Sequence, residues 1–438
     1  MKKYFSPLLI ILLISSCSDD DTMVDDDPMG SVTCDDGIQN GDEEGIDCGG
    51  SACAPCTTGV EIPATYVFER NGESTVSFSG QTTRLLMANE ILSTFKDDTA
   101  TQAQIDAMYD HQQDAADFSD PDLNASDKQV RNKTAGSYFF SQVAPALSSI
   151  SIKGDFDGFI AEQVADVFPN WNQVATAGNA GQLPDGSSTR YVNGKGLELD
   201  QAFNKGLIGA FVIDQILNNY TNPNQLAQFE GDNDNNVIVD GKTYTDMEHD
   251  WDEAYGYAFG VVADTENPVA DVDALDTTDK FLAKYIKRVE NDPTFAGTAQ
   301  TIFDAFKAGR TAIINKDYEE RDAQADILRE EIAKVIAVRA VFYLQAGKSK
   351  LDGLEPGDTF HDLSEGYGFI YSLQFCRRPG TTAEFYFSND EVTSFLNDIY
   401  GDLTNGFWDV TATELDAVSD AIAAKFDFTI AEAADSNN

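Results

Sequence analysis

Two segments of this chain carry a histidine, a glutamate and a glycine at the same spacing. Residues 249–257 read HDWDEAYGY and residues 361–369 read HDLSEGYGF, and they hold two of the three histidines of the chain. Helical positions four apart lie on one face, so each imidazole and carboxylate would lie side by side. Such a pair can bind one metal ion, or the carboxylate can orient the imidazole. The candidate metal ligands are His249 and Glu253 in the first HD segment, and His361 and Glu365 in the second HD segment.

The same spacing also fits a role in helix packing. A His–Glu pair four residues apart on a helix surface contributes only about 0.2–0.5 kcal/mol. Gly256 and Gly368 follow one turn later and would let a second helix approach closely. Long apolar helical stretches, 197–220 and 327–346, precede the two segments. This repeated order predicts an internal duplication, with pseudo-repeats of about 80–265 and 266–430.

Three charged residues are predicted to form a polar core. Asp214 lies in GAFVIDQIL and Arg339 in KVIAVRAVFYL, where burial of a charge without a partner would be costly. Because the two stretches occupy equivalent places in the repeat, we expect Asp214 to pair with Arg339. Such a pair either fixes the packing of the two helices or lies beside the metal site. Arg84, in GQTTR, is a third candidate for this network.

The N-terminal residues predict export. MKKYFSPLLIILLISSC begins with two lysines, continues through an apolar run and ends at Cys17. The run is shorter than the roughly 20 residues that span a bilayer, and its layout is that of a secretory signal peptide. Small residues before a cysteine resemble the lipobox of bacterial lipoproteins. We therefore expect residues 1–16 to be removed and Cys17 to be lipidated.

An acidic tether is expected at residues 17–33 because this stretch is polar and rich in aspartate. Its start, Ser18-Asp19-Asp20-Asp21, resembles the acidic export tag of surface-exposed lipoproteins of the Bacteroidetes. The resemblance implies an outer-membrane lipoprotein at the cell surface. The alternative is an ordinary acidic linker that leaves the protein facing the periplasm.

Residues 34–56 form a cysteine-rich module. Four cysteines within 23 residues of an exported chain predict two disulfides. Three pairings are open, and the CAPC spacing leaves zinc or redox chemistry as an alternative. The cysteines are Cys34, Cys48, Cys53 and Cys56; candidate calcium ligands are Asp35, Asp36, Asn40, Asp42 and Asp47. The remaining cysteine, Cys376, is expected to be buried and free.

Composition and patterning predict a mainly all-α domain. The formal net charge of −46 at pH 7 opposes binding to nucleic acid or anionic lipid headgroups. Helical periodicity recurs along the chain, and no alternating strand pattern of useful length is evident after Phe78. Because amphipathic helices must bury their apolar faces against one another, helix bundles preceded by the disulfide module are the expected architecture.

Several phrases resemble an uncharacterised lipoprotein family of the Bacteroidetes with an imelysin-like fold, over residues 64–430. They are FSGQTTRLLM (78–87), VRNKTAG (130–136), FNKGLIGAFVIDQILNNY (203–220), HDWDEAYGY (249–257) and RTAIINKDYEERD (310–322). The resemblance implies two helical bundles related by pseudo-twofold duplication. It also implies an association with iron or haem uptake.

The expected function is therefore a cell-surface lipoprotein that binds a metal ion, iron or zinc, or a metal-bearing ligand such as haem. It would pass this ligand to an outer-membrane transporter. One alternative is an imelysin-type metallopeptidase with Glu253 or Glu365 as the general base. The chain departs from the GxHxxE motif of that enzyme, because Asp252 and Ser364 lie three residues after the histidines. The other alternative is an interaction module without metal.

Overall fold

Helices dominate the computed structural model of the chain, which describes residues 34, 41–42, 48–53, 59–353, 356–381 and 384–434. The chain divides into two units, Met1–Gly59 and Val60–Asn438. The helices are α1 Ser79–Thr94, α2 Gln102–Tyr109, α3 Pro121–Ala125, α4 Ala146–Glu162, α5 Leu199–Leu207, α6 Pro223–Leu226, α7 Glu230–Asp234, α8 Asp246–Phe259, α9 Leu282–Glu290, α10 Thr298–Asn315, α11 Tyr318–Ser349, α12 Pro356–Ser372, α13 Asn389–Leu396, α14 Ala412–Ala423 and α15 Ile430–Ala434. The predicted all-α class is confirmed.

The core of the second unit is built around the longest helix, α11. This helix packs against α10, α12, α14 and α15, while α12 also packs along α5. The chain continues from α5 through two buried π-helical stretches, Ile208–Ile213 and Ile216–Tyr220. Helix α8 packs against α1 and α10. In the described part of the chain, no helix has the length and apolar character needed to cross a membrane.

Two short antiparallel hairpins accompany the helices. Strands β1 (Glu69–Arg70) and β2 (Glu73–Ser74) pair first, and β3 (Gly181–Asp185) pairs with β4 (Ser188–Val192). The expectation of no useful strand after Phe78 is therefore wrong for β3 and β4. Their two-residue turn begins at Gly186, which has a φ of 54° and follows Asp185. The Gly-Ser pair of this turn is a hairpin signal, and Pro184 inside β3 weakens the strand pattern.

The first unit is held by disulfides in its described part. Cys34 and Cys53 are bonded, with their Cα atoms 5.4 Å apart, and Cys48 is also disulfide-bonded. One of the predicted pairings is thus Cys34 with Cys53, whereas Cys56 lies outside the described residues. Cys376, in the second unit, is buried and free as expected, and burial raises the pKa of its thiol.

Asp42 is the only calcium candidate that the structure describes. Its Oδ2 accepts a hydrogen bond from the backbone N–H of Ser51 at 2.9 Å, and hydrogen bonds from Ser51 lower the pKa of its carboxyl. The carboxylate thus holds a turn of the module, and its use for calcium stays a prediction. The other calcium candidates, Asp35, Asp36, Asn40 and Asp47, and the lipidation residue Cys17 lie outside the described residues.

Candidate functional site

Each HD segment lies on a helix whose glycine permits close packing, as predicted. The first is on α8 and the second on α12. A Cβ at Gly256 would lie 2.4 Å from Cβ of Phe78, immediately before α1, and a Cβ at Gly368 would lie 2.4 Å from Cβ of Lys205 in α5. Neither approach leaves room for a methyl group, so both glycines are positions of close packing against a neighbouring part of the chain.

The predicted neighbours within each segment are also confirmed. Nε2 of His249 lies 4.0 Å from Oε1 of Glu253, and Nε2 of His361 lies 4.0 Å from Oε1 of Glu365. Beyond these internal pairs the two environments differ. The neighbours from other elements therefore decide what each segment can do chemically.

At the second HD segment, residues from α5 and its N-terminal end complete a buried ionic chain. Nδ1 of His361 donates to Oε2 of Glu198 at 3.0 Å. Nζ of Lys205 lies 3.0 Å from Oε1 of Glu365, and both side chains are at most 7% exposed. The backbone N–H of Glu198 donates to Oγ of Ser364 at 2.9 Å. This bond holds the backbone of Glu198 against α12.

The charges of this chain shift two pKa values in opposite directions. Burial alone would raise the pKa of Glu365, but Lys205, His361 and Lys284 lower it to about 2. Burial alone would lower the pKa of His361, but the hydrogen bond and charge of Glu198, with the charge of Glu365, raise it. The pair is therefore held in its charged form.

An open cavity of about 570 Å³ lies beside the second HD segment and is called the His361 pocket. Helices α1, α5, α9 and α12, strand β4 and the loop before α9 provide its walls, so distant parts of the chain meet here. Two carboxylates, Asp200 and Glu365, face five cations besides His361. The cations are Lys96, Arg190, Lys205, Lys280 and Lys284.

Some of these cations already have carboxylate partners. Nη2 of Arg190 lies 2.6 Å from Oδ2 of Asp185, and Nζ of Lys96 lies 3.4 Å from Oδ2 of Asp200. In contrast, neither Lys280 nor Lys284 makes an ion pair or a side-chain hydrogen bond within the described ranges. Burial, followed by the charge of Lys205, lowers the pKa of Lys284 to about 8. The pocket therefore has uncompensated positive charge.

The first HD segment has a different setting. Gln81, on α1, donates from Nε2 to Oε1 of Glu253 at 2.6 Å. Glu253 thus has a neutral amide as its partner, whereas Glu365 has the ammonium of Lys205. The ring of His249 stacks on Tyr244, with centroids 4.5 Å apart. His249 and Glu253 do not belong to the lining of the His361 pocket.

A buried ion cluster lies behind the first HD segment. Nε of Arg310 lies 3.0 Å from Oδ1 of Asp252, and its Nη1 lies 3.1 Å from Oε1 of Glu248. Arg310 also donates to Oγ1 of Thr75 at 3.0 Å, and Tyr66 donates to Oδ1 of Asp252 at 2.8 Å. This cluster joins α8 and α10 to the extended residues before α1, so it is a structural anchor.

The predicted polar core has other partners than expected. The carboxylate of Asp214 accepts from Oγ and the backbone N–H of Ser137 at 2.7 and 3.1 Å, and from Nδ2 of Asn218 at 3.1 Å. Burial raises its pKa to about 7. Arg339 lies instead over the rings of Phe342 and Tyr343, 4.2 and 4.5 Å from their centroids.

Arg84 is buried and makes a hydrogen bond to the backbone. Its Nε donates to the carbonyl of Gln129 at 3.2 Å. The ion pair predicted between Asp214 and Arg339 is not formed between these two described residues. Equivalent places in a repeat do not fix the rotation of each helix about its axis, and this rotation decides which side chains meet.

The residues that sequence reasoning missed are Lys205, Glu198 and the lysines before and within α9. Lys205 had a usable signal, since it is a charge inside the apolar stretch FNKGLIGAF. Lys280 and Lys284 had no such signal, because lysines in a polar stretch are ordinarily solvated. Among the residues described, no group of three or more His, Cys, Asp or Glu side chains is placed to hold a metal ion.

The His361 pocket favours an anion over a bare metal ion. Lys205 already pairs with the Glu365 carboxylate, and the neighbouring ammonium groups would repel a cation.

Comparison with known proteins gives a family match. A family model described as Domain of unknown function (DUF4856) matches residues 63–429, which include both HD segments. No curated protein and no solved structure gives a significant match.

Proposed function

This chain belongs to the DUF4856 family, a domain of unknown function, and we propose that it is a lipid-anchored binding protein for a small anionic ligand. The observation that carries the proposal is the charge of the His361 pocket. The chain has a formal net charge of −46, with 29 basic and 75 acidic residues. Five of those basic residues line this single cavity, against two carboxylates.

This charge contrast gives the pocket a selective role. A strongly acidic surface repels anions in general, so an anion gains from binding only where cations are concentrated. The cavity volume of about 570 Å³ lies within the range of roughly 300–1,000 Å³ that small-molecule sites occupy. The ionic chain of Glu198, His361, Glu365 and Lys205 keeps the floor of the pocket rigid.

The cellular setting of the proposal comes from the N-terminal sequence. A signal peptide and lipidated Cys17 would anchor the protein in the outer membrane, and the acidic tag would place it at the cell surface. There it would capture its ligand for an outer-membrane transporter. A metal-bearing ligand remains compatible with the pocket when the ligand is itself anionic, as haem is through its carboxylates.

Calorimetric titration of the purified chain tests the proposal. The probes are phenyl phosphate, succinate, haem, ferric iron and zinc. We expect saturable binding of at least one anionic probe, with a loss of about tenfold or more in Lys205→Met. The matched variant Gln81→Met changes the equivalent contact of the first HD segment and should bind normally.

Two results would overturn the proposal. One is that none of the anionic probes binds to the folded chain. The other is that they bind equally well to Lys205→Met, with its fold verified by circular dichroism. Binding of zinc or iron alone, abolished in the double variant His249→Ala/His361→Ala, would instead support the metal-ion function expected from the sequence.

A further inference from the structure

The two lysines at the start of α9 identify the charge of the ligand. We infer that the His361 pocket binds a dianion, a small molecule with two negative charges such as a phosphate monoester or a dicarboxylate. This inference rests on the proposed function. It adds the ligand's charge and assigns Lys280 and Lys284 as the residues that recognise it.

The charge balance of the pocket supports this assignment. Lys96 lies against Asp200, Arg190 against Asp185, and Lys205 against Glu365. His361 lies against Glu198. After these four pairs, the positive groups of the lining that remain without an ion pair in the described residues are Lys280 and Lys284. The carboxyl of Asp279 lies near both, but burial raises its pKa to about 7, so it balances their charge only in part. A ligand with two negative charges would neutralise both.

The local structure keeps these lysines at the pocket. Asp279 is fully buried, and its Oδ2 accepts from the backbone N–H of Ala283 at 3.1 Å, while its Oδ1 accepts from that of Phe281. These bonds fix the turn that carries Lys280 into α9. The ammonium of Lys284 lies 5.3 Å from the ring centroid of Tyr285, a ring that Lys205 also approaches, at 5.6 Å.

The burial of Lys284 explains why one negative charge would not suffice. Burial and the charges of Lys205, Arg288 and Lys280 lower the pKa of Lys284 to about 8, although the charge of Glu365 acts in the opposite direction. A monoanion would leave one ammonium uncompensated in this positive field. A dianion would relieve the repulsion at both lysines, so binding should discriminate by charge rather than by shape alone.

Phenyl phosphate and phenyl sulfate provide a matched test. At about pH 7 the phosphate ester is mainly a dianion, because its second pKa is about 6, whereas the sulfate ester is a monoanion. Succinate and its monomethyl ester form a second pair. We expect each dianion to bind at least about tenfold more tightly than its monoanionic partner in calorimetric titrations.

Variants of the two lysines locate the discrimination. The double variant Lys280→Gln/Lys284→Gln should lose the preference for the dianion while it still binds the monoanion. Lys153→Gln is the matched control. Lys153 is also partly buried, and burial also lowers its pKa, but it lies outside the pocket lining. The control should keep the wild-type preference.

The outcomes separate the two proposals. If the monoanions bind as tightly as the dianions, the anion-binding function stands and the dianion inference falls. A preference that persists in the folded double variant also overturns the inference, because other residues would then recognise the second charge. If neither pair of probes binds, the dianion inference fails, and if haem does not bind either, the proposed function fails with it.

Discussion

The two HD segments share five of nine residues and the same helix geometry, yet they serve different purposes. In both, histidine and glutamate are neighbours at 4.0 Å and a glycine admits an adjacent chain. The fourth position separates them. It is Asp252 in the first segment, bound to buried Arg310, and Ser364 in the second, bound to the backbone of Glu198.

The comparison teaches that the repeated residues specify packing, whereas the partners specify chemistry. Glu253 accepts a hydrogen bond from the neutral amide of Gln81, whereas Glu365 forms an ion pair with the ammonium of Lys205. The first segment thereby anchors the chain that precedes α1. The second forms the floor of a positively charged pocket. Four predictions test this division, in order of decreasing effect.

The largest expected difference in stability lies at the fourth position of the two HD segments. Asp252→Ala should reduce the free energy of unfolding by about 3–5 kcal/mol, because it removes one of the two carboxylates that pair with the buried Arg310. Ser364→Ala removes neutral hydrogen bonds and should cost about 1 kcal/mol. Urea unfolding measures both. Equal costs for the two variants would contradict the anchor role of the first segment.

The shared glycines should respond alike. Gly256→Ala and Gly368→Ala should each cost about 1–3 kcal/mol, because the added methyl group would overlap a neighbouring Cβ. Gly154→Ala in α4 is the control, since nothing lies within 4 Å of its added Cβ. It should be neutral or stabilising, as expected for alanine in a helix. Thermal unfolding that shows no cost at either shared glycine would refute duplicated packing.

The pH dependence of anion binding should report on Lys284. Its charged form prevails below its pKa of about 8, within the field of Lys205, Glu365, Arg288 and Lys280. Affinity for phenyl phosphate should therefore fall as pH rises above about 8, by up to about tenfold per pH unit. Titrations across this range check the slope, which Lys284→Gln should reduce. An unchanged slope in that variant would place the titrating group elsewhere.

The smallest expected effect concerns the two histidines. Because Glu198 and Glu365 raise the pKa of His361 despite burial, its charge stabilises the folded state. That contribution is fully present below the unfolded pKa of about 6.5 and is lost as pH rises through the folded pKa. His361→Asn should therefore cost most at acidic pH, by less than about 1 kcal/mol.

His249→Asn is the matched control for this pH effect. In the described structure, His249 has one carboxylate within ion-pair distance, Glu253 at 4.0 Å, and no counterpart of Glu198. Unfolding experiments over a pH series should show a smaller loss of stability at acidic pH for this variant than for His361→Asn. A larger pH effect for His249→Asn than for His361→Asn would reverse the comparison.

Local features of the fold were predictable from the sequence. The capping box of Ser388 and Glu391 is an example, since the backbone N–H of Glu391 donates to Oγ of Ser388 at 3.2 Å. The helical placement of both HD segments and the role of their glycines follow from the same short-range rules. The hairpin at Gly186 was not predicted because both of its strands are short and β3 contains Pro184.

Long-range partners were not predictable in the same way. The pair expected for Asp214 was with Arg339, yet Asp214 bonds Ser137, which is 77 residues away along the chain. The partner of Glu365 comes from α5, and the uncompensated lysines of the pocket come from α9 and the loop before it. Sequence spacing constrains neighbours on one helix, but not which side chains another helix presents.

The sequence by itself determined an acidic, mainly helical chain with a repeated histidine–glutamate–glycine pattern. Those properties depend on composition and on the spacing of residues within single helices, so they do not require knowledge of how the helices pack. Only the tertiary structure decided that one copy of the pattern meets Arg310 and the other meets Lys205 and a cationic pocket. The reason is that burial and charge pairing depend on how separate helices pack, and near-identical segments acquire different chemistry from different neighbours.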